Sequence, residues 1–300
     1  MALNNMYDAR LRQETAVGAG AQVLLLALLG PATGMGPAGW LTGLAFACAT
    51  WAALSRALHR SRLSSFGPAN RVTLGRATLV GGVTALVADS FESAPPVTPL
   101  VALTAVALLL DGVDGEVARR TGSTTALGAR FDMEVDAFLI LVLSVYVSTR
   151  LGPWVLLIGG MRYAFVAAAR FAPWLTAPLP ASFARKTVAA LQGVSLLLAG
   201  ADLLPRPVNL TVVLLALGSL VWSFGRDVVW LRRTARTVAG EAVPESSPRP
   251  GRAADLNASP SRTPNRRAGT PRRQPATVSA RSASPAQPSR GTPFGRLSAP

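Results

Sequence analysis

Six acidic side chains are concentrated between residues 111 and 136, although the whole chain contains only 15 acids. Asp111 and Asp114 are three residues apart, and Asp132 and Asp136 are four residues apart. On a helix, residues at either spacing lie on one face. Two adjacent helices would therefore bring four carboxylates together. The other two acids of this window should point elsewhere; they are Glu116 and Glu134.

The depth of these carboxylates in a membrane indicates what they do. If a spanning helix begins near Pro96, Asp111 lies about 22 Å along it at 1.5 Å per residue. That position is still inside a hydrocarbon core about 30 Å thick. A bare carboxylate there is costly by a few kcal/mol, so four of them require cations, and two divalent ions would balance their charge. The alternative is a set of ordinary acids at a turn between two helices.

The ligand types restrict which metal is possible. The chain has one cysteine, Cys48, and one histidine, His59, so a zinc site and a Cys/His nucleophilic pair are excluded by number. Carboxylate oxygens suit Mg²⁺, Mn²⁺ or Ca²⁺. We therefore expect a hard divalent cation.

The elements that carry these acids are predicted to be membrane helices. Half of the 300 residues are hydrophobic and 15% are charged, against about 25% charged residues in a typical soluble domain. Such a chain has too little charged surface for a soluble globule, and we predict an all-α membrane protein with about eight transmembrane helices. The candidate segments span residues 16–31, 39–55, 73–91, 96–116, 131–149, 151–171, 187–204 and 208–225.

The formal charge of +15 is unevenly distributed along the chain. Arginines flank the segments on alternate sides, so the positive-inside rule places both termini in the cytoplasm, with the active site on the same side. We expect an integral protein of the cell membrane. The alternative for the first segment is a cleaved signal peptide, but the acids Asp8 and Glu14 precede it, which argues against that alternative.

Three regions are predicted along the chain. Residues 1–66 form an N-terminal extension with two membrane helices, and residues 67–239 form the membrane domain that holds the acids. Residues 240–300 are rich in Pro, Ser, Ala and Arg and poor in large apolar side chains, so we predict a disordered basic tail in the cytoplasm. Attraction to anionic lipid is the main functional option for this tail. No nucleic-acid partner is expected.

The acids belong to a longer motif with fixed spacing. It reads Asp111-x-x-Asp114-Gly115-x-x-Ala118-Arg119, eight residues, Gly128, three residues, Asp132, three residues, Asp136. This motif matches the signature of the CDP-alcohol phosphatidyltransferase family at every fixed position, and the chain resembles that family over about residues 68–236. The segment from Asn70 through Thr73 to Arg76 resembles the start of the family's first core helix.

The resemblance implies a fold, a reaction and a metal site. The fold would be a six-helix core, here preceded by the two-helix hairpin. The four aspartates would surround two Mg²⁺ or Mn²⁺ ions, and Asp136 would also act as the general base. An acceptor hydroxyl would attack the phosphorus that bears the lipid alcohol and release CMP. CDP-diacylglycerol is the expected donor, although other CDP-alcohols are possible. A homodimer among membrane lipids is also expected.

The remaining motif residues suit a nucleotide. Gly115 lets the backbone approach it closely, and Arg119 can bind a phosphate through two parallel hydrogen bonds. Neutral side chains upstream and in the following loop offer hydrogen bonds to pyrophosphate or cytidine. The predicted CDP-binding residues are Asn70, Thr73, Arg76, Gly115, Arg119 and Thr125.

The acceptor is less well defined. Arg162 lies near the middle of a predicted span, where it would bind an acceptor phosphate or pair with a carboxylate or carbonyl of a neighbouring helix. Arg185 and Lys186 loosely match a basic segment of the family. These residues suit glycerol 3-phosphate or an inositol phosphate, while serine or a second lipid stays open.

Two other functions are considered. One is the transfer of a phospho-amino-alcohol from a soluble CDP-alcohol to a diglyceride. The other is a non-enzymatic transporter or channel that uses the carboxylates as a cation path. Gly115, Arg119 and Gly128 argue against the transporter, because a cation path needs no anion-binding arginine.

Overall fold

Helices account for nearly all of the described chain, and no strand is found in it. The computed structural model describes residues 2–61, 68–94, 96–121, 126–180 and 182–241. At some helical positions it describes the backbone alone; these are residues 2–15, 58–61, 68–70, 114–121, 126 and 238–241. The helices are α1 (Ala2–Thr33), α2 (Pro37–Ser61), α3 (Pro68–Asp89), α4 (Val97–Thr121), α5 (Ala126–Leu151), α6 (Leu156–Phe171), α7 (Phe183–Ala201) and α8 (Arg206–Glu241).

Proline and positive-φ residues set several helix boundaries. Pro37 and Pro68 begin α2 and α3, positions where the missing N–H of proline costs nothing. Gly152 follows α5 with φ of 109°, a conformation that is easy only for glycine, and Pro153 then begins a short 3-10 helix. Asp202 ends α7 with φ of 55°.

The predicted fold class, an all-α membrane protein, is confirmed. Each of the eight predicted segments falls on one of the described helices, although α1 begins earlier than the predicted segment 16–31. Five helices in the described chain are long and apolar enough to cross a membrane by themselves. In α4 the apolar stretch is shorter, at Val97–Val113, and the acidic motif begins in its last turn. The five stretches are Ala16–Thr33, Pro37–Ala57, Arg71–Asp89, Pro153–Phe171 and Arg206–Thr237.

Helix α3 lies at the centre of the described helices. It packs against α1, α2, α4 and α5, and 67% of its apolar stretch is buried, against 17% for α2. Its buried side chains include Val80, Val83 and Leu86 of the main core. They also include polar groups, notably Thr73, Arg76 and Asp89. A helix that is this buried and also carries charges must find its ionic partners on its neighbours.

The two N-terminal helices are held against this centre by polar contacts as well as apolar ones. Asp89, which is 1% exposed, accepts hydrogen bonds from the backbone N–H of Gly36 at 2.7 Å and from the Ser93 hydroxyl at 2.8 Å. Gly36 lies in the turn between α1 and α2, so Asp89 fixes the hairpin to the end of α3. The predicted division at residues 66 and 239 stays a prediction; the described residues belong to a unit that extends to Glu245.

Helices α5 and α6 approach one another unusually closely. A Cβ added at Gly159 of α6 would lie 2.3 Å from the Ser144 hydroxyl oxygen and 2.5 Å from the Cα of Leu141, both on α5. Only glycine permits this approach. The contact sets the position of α6 beside the helix that carries two of the motif aspartates.

The last turns of α5 carry a small ionic group, which we call the Arg150 cluster and which consists of Arg150, Tyr146 and Asp202. The Arg150 guanidinium donates a hydrogen bond to the Tyr146 hydroxyl at 2.9 Å and lies 3.3 Å from the Asp202 carboxylate. It also donates to the backbone carbonyl of Gly200 at 3.5 Å. This cluster joins the end of α5 to the end of α7.

Candidate active site

The candidate site is organised by one buried arginine. Arg76 lies two turns into α3, within an apolar sequence, and only 1% of its surface is exposed. A guanidinium keeps its charge in any protein environment, so its burial requires anionic partners. The acidic motif of α4 and α5 supplies them.

Three carboxylates contact the Arg76 guanidinium. Its Nη1 lies 3.0 Å from Oδ1 of Asp111 on α4 and 2.5 Å from Oδ1 of Asp132 on α5. Its Nη2 donates to Oδ1 of Asp136, one turn further along α5. Arg76 of α3 thus connects α4 and α5 through aspartates that lie 35 to 60 positions after it in the sequence. We call these four residues the carboxylate cluster.

The carboxylate cluster has the composition of a cation site. The three aspartates offer one oxygen atom each, and these atoms all lie within 4.8 Å of one another. Carboxylates at this separation repel strongly unless cations lie between them. One guanidinium faces three carboxylates, so these four side chains carry a formal charge of −2. An all-oxygen donor set with excess negative charge fits Mg²⁺ or Mn²⁺.

The burial of the cluster is one-sided. Arg76 is 1% exposed, whereas the side chains of Asp111, Asp132 and Asp136 are 44%, 34% and 42% exposed. The arginine therefore supports the carboxylates from the protein interior, and their outer oxygen atoms face an accessible space. A metal ion and a phosphate ester can reach the carboxylates from that side without displacing the core.

Most of the other residues of the predicted site lie on α3, α4 and α5. Thr73 is buried on α3, one turn before Arg76, and Gly128 is buried near the start of α5. Asp114 lies one turn beyond Asp111 along α4. Asn70 lies near the start of α3. Backbone alone is described at Asn70, Asp114, Gly115 and Arg119, and Thr125 lies outside the described residues. Roles for all predicted site residues stay predictions.

Arg76 was predicted to bind CDP, and that role stays a prediction. In the structure its guanidinium contacts three of the four predicted metal ligands, a pairing that the sequence analysis did not include. A charged residue inside an apolar run was the signal for this pairing, because such residues pair with opposite charges inside membranes.

Arg162 and Glu134 form an ion pair between α6 and α5. Arg162 Nη2 lies 2.5 Å from Oε1 of Glu134. Of the two alternatives for Arg162, the described structure therefore contains the pairing with a neighbouring carboxylate. Glu134 is directed away from the carboxylate cluster, as its position on α5 predicted.

The two basic residues at the start of α7, Arg185 and Lys186, have different surroundings. Arg185 lies 3.4 Å from the Asp227 carboxylate of α8 and donates a hydrogen bond to the carbonyl of Pro180. Lys186 is exposed. Gln192, further along α7, is buried and donates to the carbonyl of Ala216 on α8 at 2.9 Å. This segment therefore ties α7 to α8, and its predicted contact with the acceptor stays a prediction.

Comparison with known proteins gives one result that bears on these residues. The sequence profile of the CDP-alcohol phosphatidyltransferase family matches residues 67–223, more than half of the chain. The matched segment contains all four members of the carboxylate cluster. No curated protein and no solved structure matched the chain. Because the profile covers α3 to α7 and half of α8, and the acidic motif lies within it, the chain belongs to the CDP-alcohol phosphatidyltransferase family.

Proposed function

We propose that this protein transfers a phospho-alcohol group from CDP-diacylglycerol to the hydroxyl of an acceptor alcohol and releases CMP, as a step of phospholipid biosynthesis. The observation that carries the proposal is the carboxylate cluster. Three aspartates of the family motif, from two helices, meet around one buried arginine and expose oxygen atoms on one side. The family membership supplies the reaction class.

The metal proposal follows from the donor set. Asp111, Asp114, Asp132 and Asp136 would hold two Mg²⁺ or Mn²⁺ ions, since the three described side chains offer only oxygen and their ligand atoms lie within 4.8 Å of one another. Such ions, when bound, neutralise a pyrophosphate and stabilise charge on the attacking and leaving oxygen atoms. Arg76 would keep Asp111, Asp132 and Asp136 at a fixed separation before and after each turnover.

Asp136 is proposed as the general base. As the acceptor oxygen forms its bond to the phosphorus that carries the lipid alcohol, the bond from that phosphorus to the CMP oxygen breaks. The proton of the acceptor hydroxyl passes to a carboxylate oxygen of Asp136, and CMP leaves with the bonding electron pair. The half-exposed position of Asp136 lets an acceptor reach it, and its contact with Arg76 fixes the orientation of the carboxylate.

The nucleotide is proposed to bind beside the cluster on the two flanking helices. Thr73 and Asn70 occupy the turns of α3 that precede Arg76, and Gly115 and Arg119 continue α4 beyond Asp111. Thr125 completes the proposed set from the loop that follows. Hydrogen bonds from Arg119 to a phosphate would be bidentate and charge-assisted. Because the positive-inside rule places this end of α4 on the cytoplasmic side, the CMP product would leave into the cytoplasm.

The proposed acceptor is an alcohol. Arg162 and Arg185 are both paired with carboxylates, so a phosphorylated acceptor would have to compete with Glu134 or Asp227 for them. Lys186 is exposed at the start of α7 and is the remaining basic candidate. Glycerol 3-phosphate, an inositol phosphate, serine and a second lipid are therefore all included in the test. A homodimer in the cell membrane is proposed as the functional form.

The test is CMP release by the purified protein in detergent, with CDP-diacylglycerol and each acceptor in turn. We expect release with one acceptor class and none when Asp111 is replaced by Asn, and the lipid product identifies the acceptor. Release only from a soluble CDP-alcohol with diglyceride would instead establish the phospho-amino-alcohol reaction. No CMP from any pair, by a protein that is folded and binds Mg²⁺, would contradict the proposed function.

A further inference from the structure

The second half of α8 carries a groove with a volume of about 420 Å³, which we call the α8 groove. Its lining residues recur every three or four positions, so they share one face of the helix, and all six are exposed. This face is about 16 Å long at 1.5 Å per residue, and no residue of another described helix lines it. The lining residues are Trp222, Gly225, Arg226, Val229, Trp230 and Arg233.

Two tryptophans form the sides of the α8 groove, and a glycine forms its floor. Trp222 and Trp230 are eight residues apart, which is just over two turns of the helix. Gly225 lies between them, and a Cβ added there would point into open space. The missing side chain therefore leaves room for a ligand between the two rings.

The α8 groove is positively charged. Arg226 and Arg233 line it, and none of its lining residues is acidic. The Arg226 guanidinium lies 5.1 Å from the centre of the Trp222 ring, a cation–π contact that keeps the charge beside the aromatic wall. The Asp227 carboxylate lies 3.8 Å from Arg226 and 3.4 Å from Arg185 of α7. One acid is thus shared by two arginines, and the groove suits an anion.

The α8 groove begins where the helix leaves the hydrocarbon core. No charged residue lies between Arg206 and Arg226, a distance of about 29 Å at 1.5 Å per residue, and the core is about 30 Å thick. Arg226 and Arg233 therefore lie at and beyond the boundary of the core, on the side that the positive-inside rule assigns to the cytoplasm. Tryptophan is enriched at this boundary, where the lipid phosphates begin.

We propose that the α8 groove binds the phosphate of one anionic phospholipid of the cytoplasmic leaflet. The two guanidinium groups donate charge-assisted hydrogen bonds to its oxygen atoms, and the tryptophan rings pack against the glycerol and the first part of the chains. The inference goes beyond the proposed function, because this lipid is neither donor nor acceptor. Helix α8 packs mainly against α7, whereas the carboxylate cluster lies on α3, α4 and α5.

Charge assigns the occupant to a lipid rather than to another part of the protein. Residues 241–300 contain ten arginines and three acids, so the groove would repel this tail. In a symmetric dimer the same surface of both copies meets, and a surface with two arginines and no acid would face its own charge. A free phosphate ion would need the arginines but not the apolar rings, which a lipid uses as well.

The test measures the affinity of the purified full-length protein in detergent for phosphatidylglycerol by native mass spectrometry. Arg226→Gln with Arg233→Gln removes both charges of the groove. Arg232→Gln with Arg236→Gln is the matched control, since it removes the same charge from exposed α8 positions that do not line the groove. The groove variant should bind the first lipid about tenfold more weakly or worse, because hydrogen bonds to charged groups are the strongest. The control should stay within about twofold of wild type.

A second variant fills the α8 groove and keeps its charge. Gly225→Leu places a side chain in the open space, and leucine is a better helix former than glycine, so weaker binding would not come from loss of the helix. We expect a loss similar to that of the double arginine variant. Asp111→Asn should bind phosphatidylglycerol as wild type does, because the carboxylate cluster is not part of the groove. Phosphatidylcholine, which has no net charge, should bind all of these proteins equally.

Five results would overturn the inference. Equal losses in the groove variant and its control would show that the general charge of α8 attracts the lipid. Full affinity in Gly225→Leu would place the lipid elsewhere, and weaker binding in Asp111→Asn would place it at the active site. Displacement of the lipid by excess inorganic phosphate would make the ligand a free ion. An intermolecular disulfide formed by Val229→Cys in a Cys48→Ser background would make the groove an interface between copies.

Discussion

The two ends of α5 carry ionic clusters of opposite character. At the first end, one buried guanidinium faces three carboxylates. At the last turn, the Arg150 cluster pairs one guanidinium, 26% exposed, with the single carboxylate of Asp202 and adds the Tyr146 hydroxyl. The Arg150 cluster is balanced within itself and joins two helix ends. In the carboxylate cluster three carboxylates share one guanidinium, as expected of residues that also bind a divalent cation, and this ratio distinguishes a candidate site from a structural contact.

Chelation should produce the largest difference between the two clusters. Excess EDTA should abolish CMP release, because a CDP pyrophosphate and the aspartates repel one another when no divalent ion lies between them. Mg²⁺ or Mn²⁺ should restore the activity. The global helix content, measured by circular dichroism, should not change. Full CMP release in EDTA would contradict the two-metal proposal.

Replacing Asp136 by Asn should separate chemistry from binding. The amide cannot accept the acceptor proton, so kcat should fall by about 10²–10⁴. Nucleotide binding, measured with a fluorescent CDP analogue, should survive, because only part of the ligand set is lost. Asp111→Asn is the comparison and should weaken Mg²⁺ and nucleotide binding together. Near wild-type turnover in Asp136→Asn would assign the base to another group.

Replacing Arg76 by Met should make the stability of the protein depend on divalent ions. The variant removes the guanidinium that contacts all three carboxylates, and removal of one partner from a buried ion pair typically costs about 3 kcal/mol or more. We expect a lower Tm in EDTA and a larger Tm increase on adding Mg²⁺ than in wild type. An unchanged response to Mg²⁺ would show that Arg76 does not balance the charge of the metal site.

Replacing Arg150 by Met should have the smallest effect. The pair with Asp202 is partly exposed, so its loss should lower stability by about 1 kcal/mol or less. Turnover and the Mg²⁺ response of the Tm should match those of wild type. If Arg150→Met instead reduced CMP release as strongly as Arg76→Met, the contrast between a site and a structural contact would be wrong.

Local features of the sequence predicted most of the fold. Apolar runs located the eight helices, although the predicted starts at 39 and 73 fall two and five residues after Pro37 and Pro68, where α2 and α3 begin. Spacing of three and four residues placed the aspartates on helix faces, and three of the four are found together. These features succeed because they depend on neighbours within one or two turns of the same helix.

Long-range features were not predictable in the same way. The contacts of Arg76 with Asp132 and Asp136 join residues 56 and 60 positions apart, and nothing in one helix specifies which face meets which neighbour. The pairing of Arg162 with Glu134 was one of two alternatives until the packing of α5 on α6 was known. The distance between α2 and α5 depends on the contact of Phe46 with Phe138 and on the packing of Leu54 with Leu127.

The position of Arg76 within α3 also has a consequence for how the protein enters the membrane. The apolar stretch of α3 has a mean hydropathy of 1.2, the lowest of the five candidate spans, and an arginine inside a span adds a cost at insertion, about 2.5–3.5 kcal/mol at the centre of the helix. Its carboxylate partners are synthesised 35 to 60 residues later. During translation α3 therefore reaches the bilayer before its charges can be neutralised, and the helices already made are α1 and α2, which pack against it. Retention of the nascent α3 beside that hairpin, until α4 and α5 arrive, would make the N-terminal extension an assembly platform for the site.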